Sequence, residues 1–389
     1  MKENNLKHKK ALIFDAYDQY EIRMKYIQKA FEMNGYETVI YQADFDHVRK
    51  QYYPVRRDCI HYVHVHSYKK NLSVQRMYSH AMFAKECARI AEQEENVEFV
   101  YAMIPPNSMS KAFGKYKQKH PGVKLWFDVL DMWPESLPVG DKVKKMGSCI
   151  FEQWRMVRDN LLSCADLVTP ECDLFKNELG KKNHIKGSVE TVYLCQKPQF
   201  IESNVSLGIE IHFLYCGTIN NIIDIQLIGD YLQEVNKHKK VVVEIIGDGE
   251  HRQDFLDDLS NRSITYHYHG YVYDNHEKEE IYKTVHFGLN CMKDTVFVGL
   301  TMKSLDYLSH GLPIINNIPA DTASFIDKYK AGVNINPHNV KECALKLSKM
   351  NDKEYQEVRK NVACFFNEKL AEDIIQKQMA EAVRKVKSG

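Results

Sequence analysis

The chain has 389 residues, 44% hydrophobic and 27% charged, with a formal net charge of +1. This length suits two domains, and this balance excludes a disordered chain. Near-neutrality argues against a nucleic-acid binder, and no apolar run approaches the roughly 20 residues of a membrane span. The opening MKENNLKHKKALIFDAY has a short apolar run and no small-residue cleavage site, so no signal peptide is expected. Ten cysteines without a CxxC pair or zinc spacing read as reduced, mostly buried side chains of a cytosolic protein.

Taken in chain order, strands are predicted at 9–17, 38–45, 61–66, 97–104, 123–130 and 165–170. Helices are predicted between and after them at 20–34, 75–93, 108–119, 141–163 and 171–179. A polar stretch at 196–208 has the composition of a linker. A second series then places strands at 211–217, 241–247, 264–270, 285–292 and 313–317. Helices fall at 222–235, 251–259 and 275–283, with a short one inside 299–311. Beyond residue 350 the pattern is helical throughout. Alternating strands and helices of this length predict an α/β protein with two doubly wound parallel sheets.

Such sheets bind ligands at the carboxyl ends of their strands. In the second series those positions hold Gly217-Thr218, Gly247-Asp248-Gly249, Gly270-Tyr271-Val272 and Lys293-Asp294. Glycine there permits either close approach to a ligand or an ordinary strand-to-helix turn. GDGEHR lacks the third glycine and the acidic partner of the dinucleotide fingerprint, and no GxxxxGK[ST] loop occurs.

Residues 299–313, GLTMKSLDYLSHGLP, predict a helix capped by Thr301 and stopped by Gly311. Leu305 and Leu308, with Met302 a turn earlier, form its inner face; Lys303, Asp306 and His310 fall on the opposite, open face. A helix N-terminus fed by Gly-Leu-Thr suits an anion, Lys303 suits a phosphate and Asp306 suits sugar hydroxyls. A capped surface helix with solvated charges fits the same residues.

In the first series Asp131, Trp133 and Glu135 follow the strand at 123–130, and Asn107 and Ser108 follow the strand at 97–104. A carboxylate there can orient or deprotonate a hydroxyl, or cap a turn; Trp133 can stack on a sugar or fill the core. Lys69, Lys70 and Arg76 offer an anion-binding edge or a solvated loop. The segment 141–163 sets Lys142, Lys144, Lys145, Arg155 and Arg158 beside Ile150, Phe151, Trp154 and Val157. This pattern fits a core helix with a charged outer face, or one that docks on an anionic membrane.

The order YCGTI, VVVEIIGDGE, YHGYV, VHFGLNCM and MKSLDYLSHGLPII, with DVLDMWPES in the first half, resembles the GT-B glycosyltransferases. More specifically, it resembles the retaining enzymes of family 4 that act on bacterial surface polysaccharides. The resemblance implies two Rossmann-like domains facing across a cleft. An acceptor domain would span 1–197, joined by a C-terminal helix at about 367–389, and a donor domain 198–366. It further implies a nucleoside-diphosphate sugar donor of UDP or GDP type, no metal, and a saccharide or lipid-linked acceptor. Catalytic roles fall to Asp131, Lys303 and Asp294. Donor binding falls to Gly217, Thr218, Gly247, Tyr271, Val272, Gly299, Leu300, Thr301, Lys303 and Asp306, and the acceptor side to Trp133, Glu135, Asn107 and Ser108. The protein would be cytoplasmic, with an anionic membrane surface at the inner face of the plasma membrane as a further partner and no nucleic acid. Val298 stands where the family has its first acid, so a catalytically silent partner subunit is one alternative; a sugar-nucleotide 2-epimerase, which shares the architecture, is the other.

Overall fold

The computed structural model describes residues 9–18, 21–137, 147–200 and 205–388. The chain divides into two compact units, Met1–Leu194 with Ile375–Gly389, and Cys195–Ile374.

The first unit is built on β1 (Lys10–Asp15), β2 (Glu37–Ala43), the short pair β3 (Phe45–Asp46) and β4 (Gln51–Tyr52), β5 (His61–Val63), β6 (Val97–Ile104), β7 (Lys124–Val129), β8 (Leu167–Pro170) and β9 (Ser188–Val189). Among the described residues, seven of these form a parallel sheet in the order β5-β2-β1-β6-β7-β8-β9. Helices cover both faces, so β1 buries Ala11, Leu12, Ile13 and Phe14 completely and reads in sequence as an unbroken apolar run. These helices are α1 (Glu21–Glu32), α2 (Val74–Gln93), α3 (Ser108–Lys119), α4 (Ser148–Asp159) and α5 (Asp173–Lys182). One buried ion pair in this core is closely matched. Arg23 of α1 donates Nε and Nη2 to the two oxygens of Asp128 at 2.8 Å, and Thr169 Oγ1 donates to one of them at 2.6 Å.

The second unit holds β10 (Glu210–Cys216), β11 (Lys240–Ile246), β12 (Thr265–Gly270), β13 (Phe287–Asn290), β14 (Ile314–Asn316) and β15 (Gly332–Asn334). Their parallel order is β12-β11-β10-β13-β14-β15. The direction of winding reverses between β10 and β13, which makes the carboxyl ends of those two strands the expected ligand position. The connections are α6 (Ile225–Asn236), α7 (Arg252–Asn261), α8 (Asn275–Tyr282), α9 (Met302–Ser309), α10 (Asp321–Tyr329) and α11 (Val340–Lys349). Then come α12 (Asp352–Lys369), opened by an Asn351–Glu354 capping box, and α13 (Glu372–Ser388). This last helix belongs mainly to the first unit. It buries Ile375, Met379 and Val383, and Asn34 and Gln376 tie it to α1 by side-chain bonds to Ala380 O and Tyr26 O.

Several expectations need correction. The strand at 61–66 ends at Val63, and β15, α10 and α11 were not anticipated; β15 is three half-exposed residues, too short to show a period. Residues 195–200 are not a free linker, since Gln199 N–H donates to Ser309 O at 2.8 Å within the second unit. Lys142, Lys144 and Lys145 of the expected basic helix lie outside the described residues. Four of the ten cysteines are buried, while Cys59, Cys149 and Cys364 are exposed. No described helix is long and apolar enough to cross a membrane.

Candidate functional site

In the second unit, α9 starts at the winding reversal. Thr301 caps it, its Oγ1 accepting from Ser304 N–H at 3.0 Å and donating to Asn290 Oδ1 at 2.9 Å. Asn290 in turn donates to Ser304 Oγ and Asn316 Oδ1, and Asn316 donates to Asn334 Oδ1. This buried amide ladder joins the carboxyl ends of β13, β14 and β15 and fixes the start of α9. Sequence reading missed it, although each of those strands ends in asparagine. Among the described residues no acceptor meets the backbone N–H of Gly299, Leu300 or Thr301. They form an open donor group at the positive end of a helix.

Lys303 lies in the first turn, the second residue of the helix. Its stem lies against Gly217, where a Cβ would come within 3.3 Å and where φ is +140°, so glycine suits the position on both counts. Its Nζ lies 4.7 Å above the Tyr215 ring and donates to Tyr215 Oη at 3.2 Å. No carboxylate among the described residues lies within ion-pair distance of it. Burial pulls its pKa down to about 8.

The helix α9 differs from expectation at three places. Met302 is 64% exposed rather than packed, and His310 is 2% exposed because the Tyr282 ring covers it at 4.1 Å. Asp306 is not open either: Lys278 Nζ donates to both its oxygens, and Tyr282 Oη donates to one. Lys278 and Tyr282, on α8, were not foreseen. The strand-end glycines pack chain on chain. A Cβ at Gly247 would lie 2.1 Å from Gly217 O, so that turn serves the approach of two loops. Thr218 is exposed, as is Tyr271 at 56%, while Val272 is half-buried. Tyr271 stacks on Tyr273 at 5.9 Å. Asp294 is exposed in the turn after β13, and Val298 is half-buried.

In the first unit the expected acceptor residues come together, but mostly as a scaffold. Asp131 accepts from Met132 N–H at 2.8 Å and from Ser136 Oγ, a turn-capping role, and burial raises its pKa against those bonds. Glu135 is held by both Arg158 terminal nitrogens at 2.9 and 3.0 Å. Arg158 is therefore buried at 1%, not a surface cation available to a membrane. Asn107 donates to Trp133 O and Trp154 O, its Oδ1 buried without a partner, and Ser108 Oγ donates to His80 O at 2.8 Å. Trp133 is half-buried and carries the Arg76 guanidinium 4.2 Å from its ring centre. Arg76 itself is buried rather than on a solvated edge.

Two Rossmann-ordered units with the last helix returned to the first define the GT-B fold. The chain aligns with sucrose-phosphate synthase from Thermosynechococcus elongatus at a TM-score of 0.70 and 10% identity, covering 98% of this chain and 100% of that one. It aligns with Anabaena HepE in complex with UDP at a TM-score of 0.67 and 12% identity, covering 97% and 100%. Residues 225–383 match the family model of the glucosyltransferase 3-like, C-terminal domain. Over 129 residues the chain is 28% identical to the regulatory protein NPR1 of Arabidopsis thaliana, a match covering 32% of this chain and 20% of that protein.

Proposed function

We propose that this protein is a glycosyltransferase that moves a hexose from a nucleoside diphosphate, UDP or GDP, to a saccharide or lipid-linked saccharide. The resemblance to family 4 further points to retention at the transferred carbon, to bacterial surface polysaccharide as the product and to action at the cytoplasmic face of the membrane. The observation that carries the reading is Lys303: a lysine with a lowered pKa and no carboxylate partner, beside open N–H groups at the start of α9. The bound UDP of the HepE structure and the glucosyltransferase 3-like match over 225–383 support a nucleotide in this half.

In this reading the diphosphate seats on the N–H groups of Gly299, Leu300 and Thr301 and on Lys303, with Gly217 and Thr218 on its other side. As the sugar–phosphate bond lengthens, charge grows on the phosphate oxygen; a fixed cation and fixed dipoles stabilise it without reorganising. Their charge can serve the leaving group without a divalent ion, and full turnover in EDTA would support that. Tyr271 and Val272 flank the base, and Asp306 with Lys278 offers polar groups to the ribose. Asp294, the one acid between Cys291 and Thr301, offers its carboxylate to the sugar hydroxyls. The acceptor hydroxyl passes its proton to the departing phosphate, and Asp131 is the first-unit carboxylate to which the resemblance gives a catalytic role.

Thermal-shift titration with UDP and GDP tests the reading. Stabilisation by one of them, lost in Lys303→Ala, is the expected result; no response to either would overturn it. Nucleotide binding without transfer or donor hydrolysis would identify the silent subunit, which Val298 at the first-acid position favours. Formation of a 2-epimeric sugar would identify the epimerase.

A further inference from the structure

We propose that the first unit carries a site for an oxyanion, a phosphate or carboxylate borne by the acceptor, centred on Arg76 with Lys50 beside it. The word acceptor rests on the transfer reading above; the anion site does not.

Three arginines of the described residues are buried: Arg23, Arg76 and Arg158. Arg23 is matched by Asp128, and Arg158 by Glu135 and Asp159. Arg76, 6% exposed, has no carboxylate within ion-pair distance among the described residues. Its Nη2 donates to Tyr17 Oη at 3.2 Å, its Nη1 to Asn71 O at 3.0 Å and its Nε to His80 Nε2 at 3.4 Å. The rings of Trp133, Tyr68 and Tyr17 surround it at 4.2, 5.7 and 5.9 Å. Every one of these neighbours is uncharged. Ring faces and neutral acceptors offset only part of the cost of burying a cation, and the bonds to Tyr17, Asn71 and His80 do not use all five of its N–H groups.

Nearby groups carry the same mark of excess positive charge. Burial and then the Arg76 charge hold His47 down to a pKa of about 4 and also lower Lys50. Lys50 is half-buried, and among the described residues its Nζ donates to His47 O and the Asn71 side chain and lies over the Tyr68 ring. Asp131 and Asp46 supply the opposing field, but the Asp131 carboxylate is engaged by Ser136 and the Met132 N–H, and Asp46 accepts from the Val48 and Arg49 N–H groups. Tyr17 follows β1 and Trp133 follows β7, so the cluster sits at the carboxyl edge where a doubly wound sheet holds ligands. An oxyanion would supply the missing counter-charge, with charge-assisted bonds from both cations.

The test uses the full chain carrying Lys303→Ala, so that the phosphate site on α9 does not contribute. Glucose, glucose 6-phosphate, inorganic phosphate and a short-chain isoprenyl phosphate are titrated by calorimetry, with Trp133 fluorescence as a local reporter. A phosphorylated probe is expected to bind at least ~10-fold tighter than glucose, with affinity falling as salt rises. Arg76→Lys and Lys50→Ala are each expected to weaken it by about 10-fold. Preference for glucose 6-phosphate assigns the charge to the sugar, and preference for the isoprenyl phosphate assigns it to a lipid anchor. Equal binding of glucose and the phosphates, or unchanged affinity in Lys50→Ala and in folded Arg76→Lys, would overturn the proposal. Binding of inorganic phosphate alone leaves no acceptor site and also overturns it. Wild-type UDP affinity, measured separately, reads the donor assignment, so either can fail without the other.

Discussion

Lys278 Nζ donates to both carboxylate oxygens of Asp306, at 2.8 and 3.0 Å. The aspartate that sequence assigned to ribose hydroxyls is thus already engaged by α8, and Tyr282 adds a further bond. Both side chains are mostly covered, at 25% and 16% exposed, so removing one leaves the other poorly solvated. Asp306→Ala is expected to lose ~1–3 kcal/mol of stability as well as donor affinity. A double-mutant cycle with Lys278→Ala, read by chemical denaturation, should show coupling of roughly 1–2 kcal/mol. Simply additive losses would mean that the pair contributes nothing.

Lys303 gives a pH dependence of known sign. Its folded-state pKa is about 8 against an ordinary 10.5, so it loses its proton as pH rises through 8. Donor affinity should fall above that pH, and Lys303→Arg should flatten the profile because guanidinium stays charged. Stability runs the other way. Between 8 and 10.5 the unfolded chain binds more protons than the folded one, so the ligand-free protein should gain stability across that window. A donor KM that stays flat up to about pH 9.5 would remove Lys303 from the phosphate site.

Glu135 is expected to prove structural. Glu135→Gln breaks a two-bond pair with an arginine that is 1% exposed, at a cost of about 3 kcal/mol, while turnover per folded molecule is largely retained. Melting temperature and kcat, measured on the same samples, separate the two roles. An unchanged melting temperature with lost turnover would restore the substrate contact that sequence suggested.

Asp294→Ala is expected to remove most transfer while leaving nucleotide affinity nearly intact, because the residue is exposed beyond β13 and Val298 offers no polar group. Side-by-side UDP titration and turnover decide it. Normal turnover would reduce Asp294 to a loop carboxylate.

Gly247→Ala is expected to destabilise the second unit by more than about 1 kcal/mol. The added Cβ would sit 2.1 Å from Gly217 O at a φ of +127°, so the β10 and β11 loops must separate. Nucleotide affinity should fall with stability, since Gly217 carries the Lys303 stem. A variant that melts like the wild type would show that the loops yield without cost.

Most of the fold was legible because period and punctuation are local. Apolar runs such as VVVEIIG, the Thr301 cap and the Gly311 stop, at a φ of +71°, lie within a few residues of what they determine. The same holds for the open N–H groups at the start of α9, which a helix end creates from its own backbone. Elements of three residues, such as β15, carry too little pattern to read.

Sequence by itself determined which residues bear charge and on which element they sit; only the tertiary structure decided what opposes each charge. Lys303 and Arg76 look alike in sequence to Lys278 and Arg158. Folding sets Asp306 against Lys278 and Glu135 against Arg158, while Lys303 and Arg76 have no carboxylate at hand among the described residues. Ion pairing acts over a few ångströms between segments far apart in the chain, here separated by 28 residues for Lys278 and Asp306 and 23 for Glu135 and Arg158. No local period encodes that pairing, so whether a cation is spent on the fold or left for a ligand is settled only when the chain has packed.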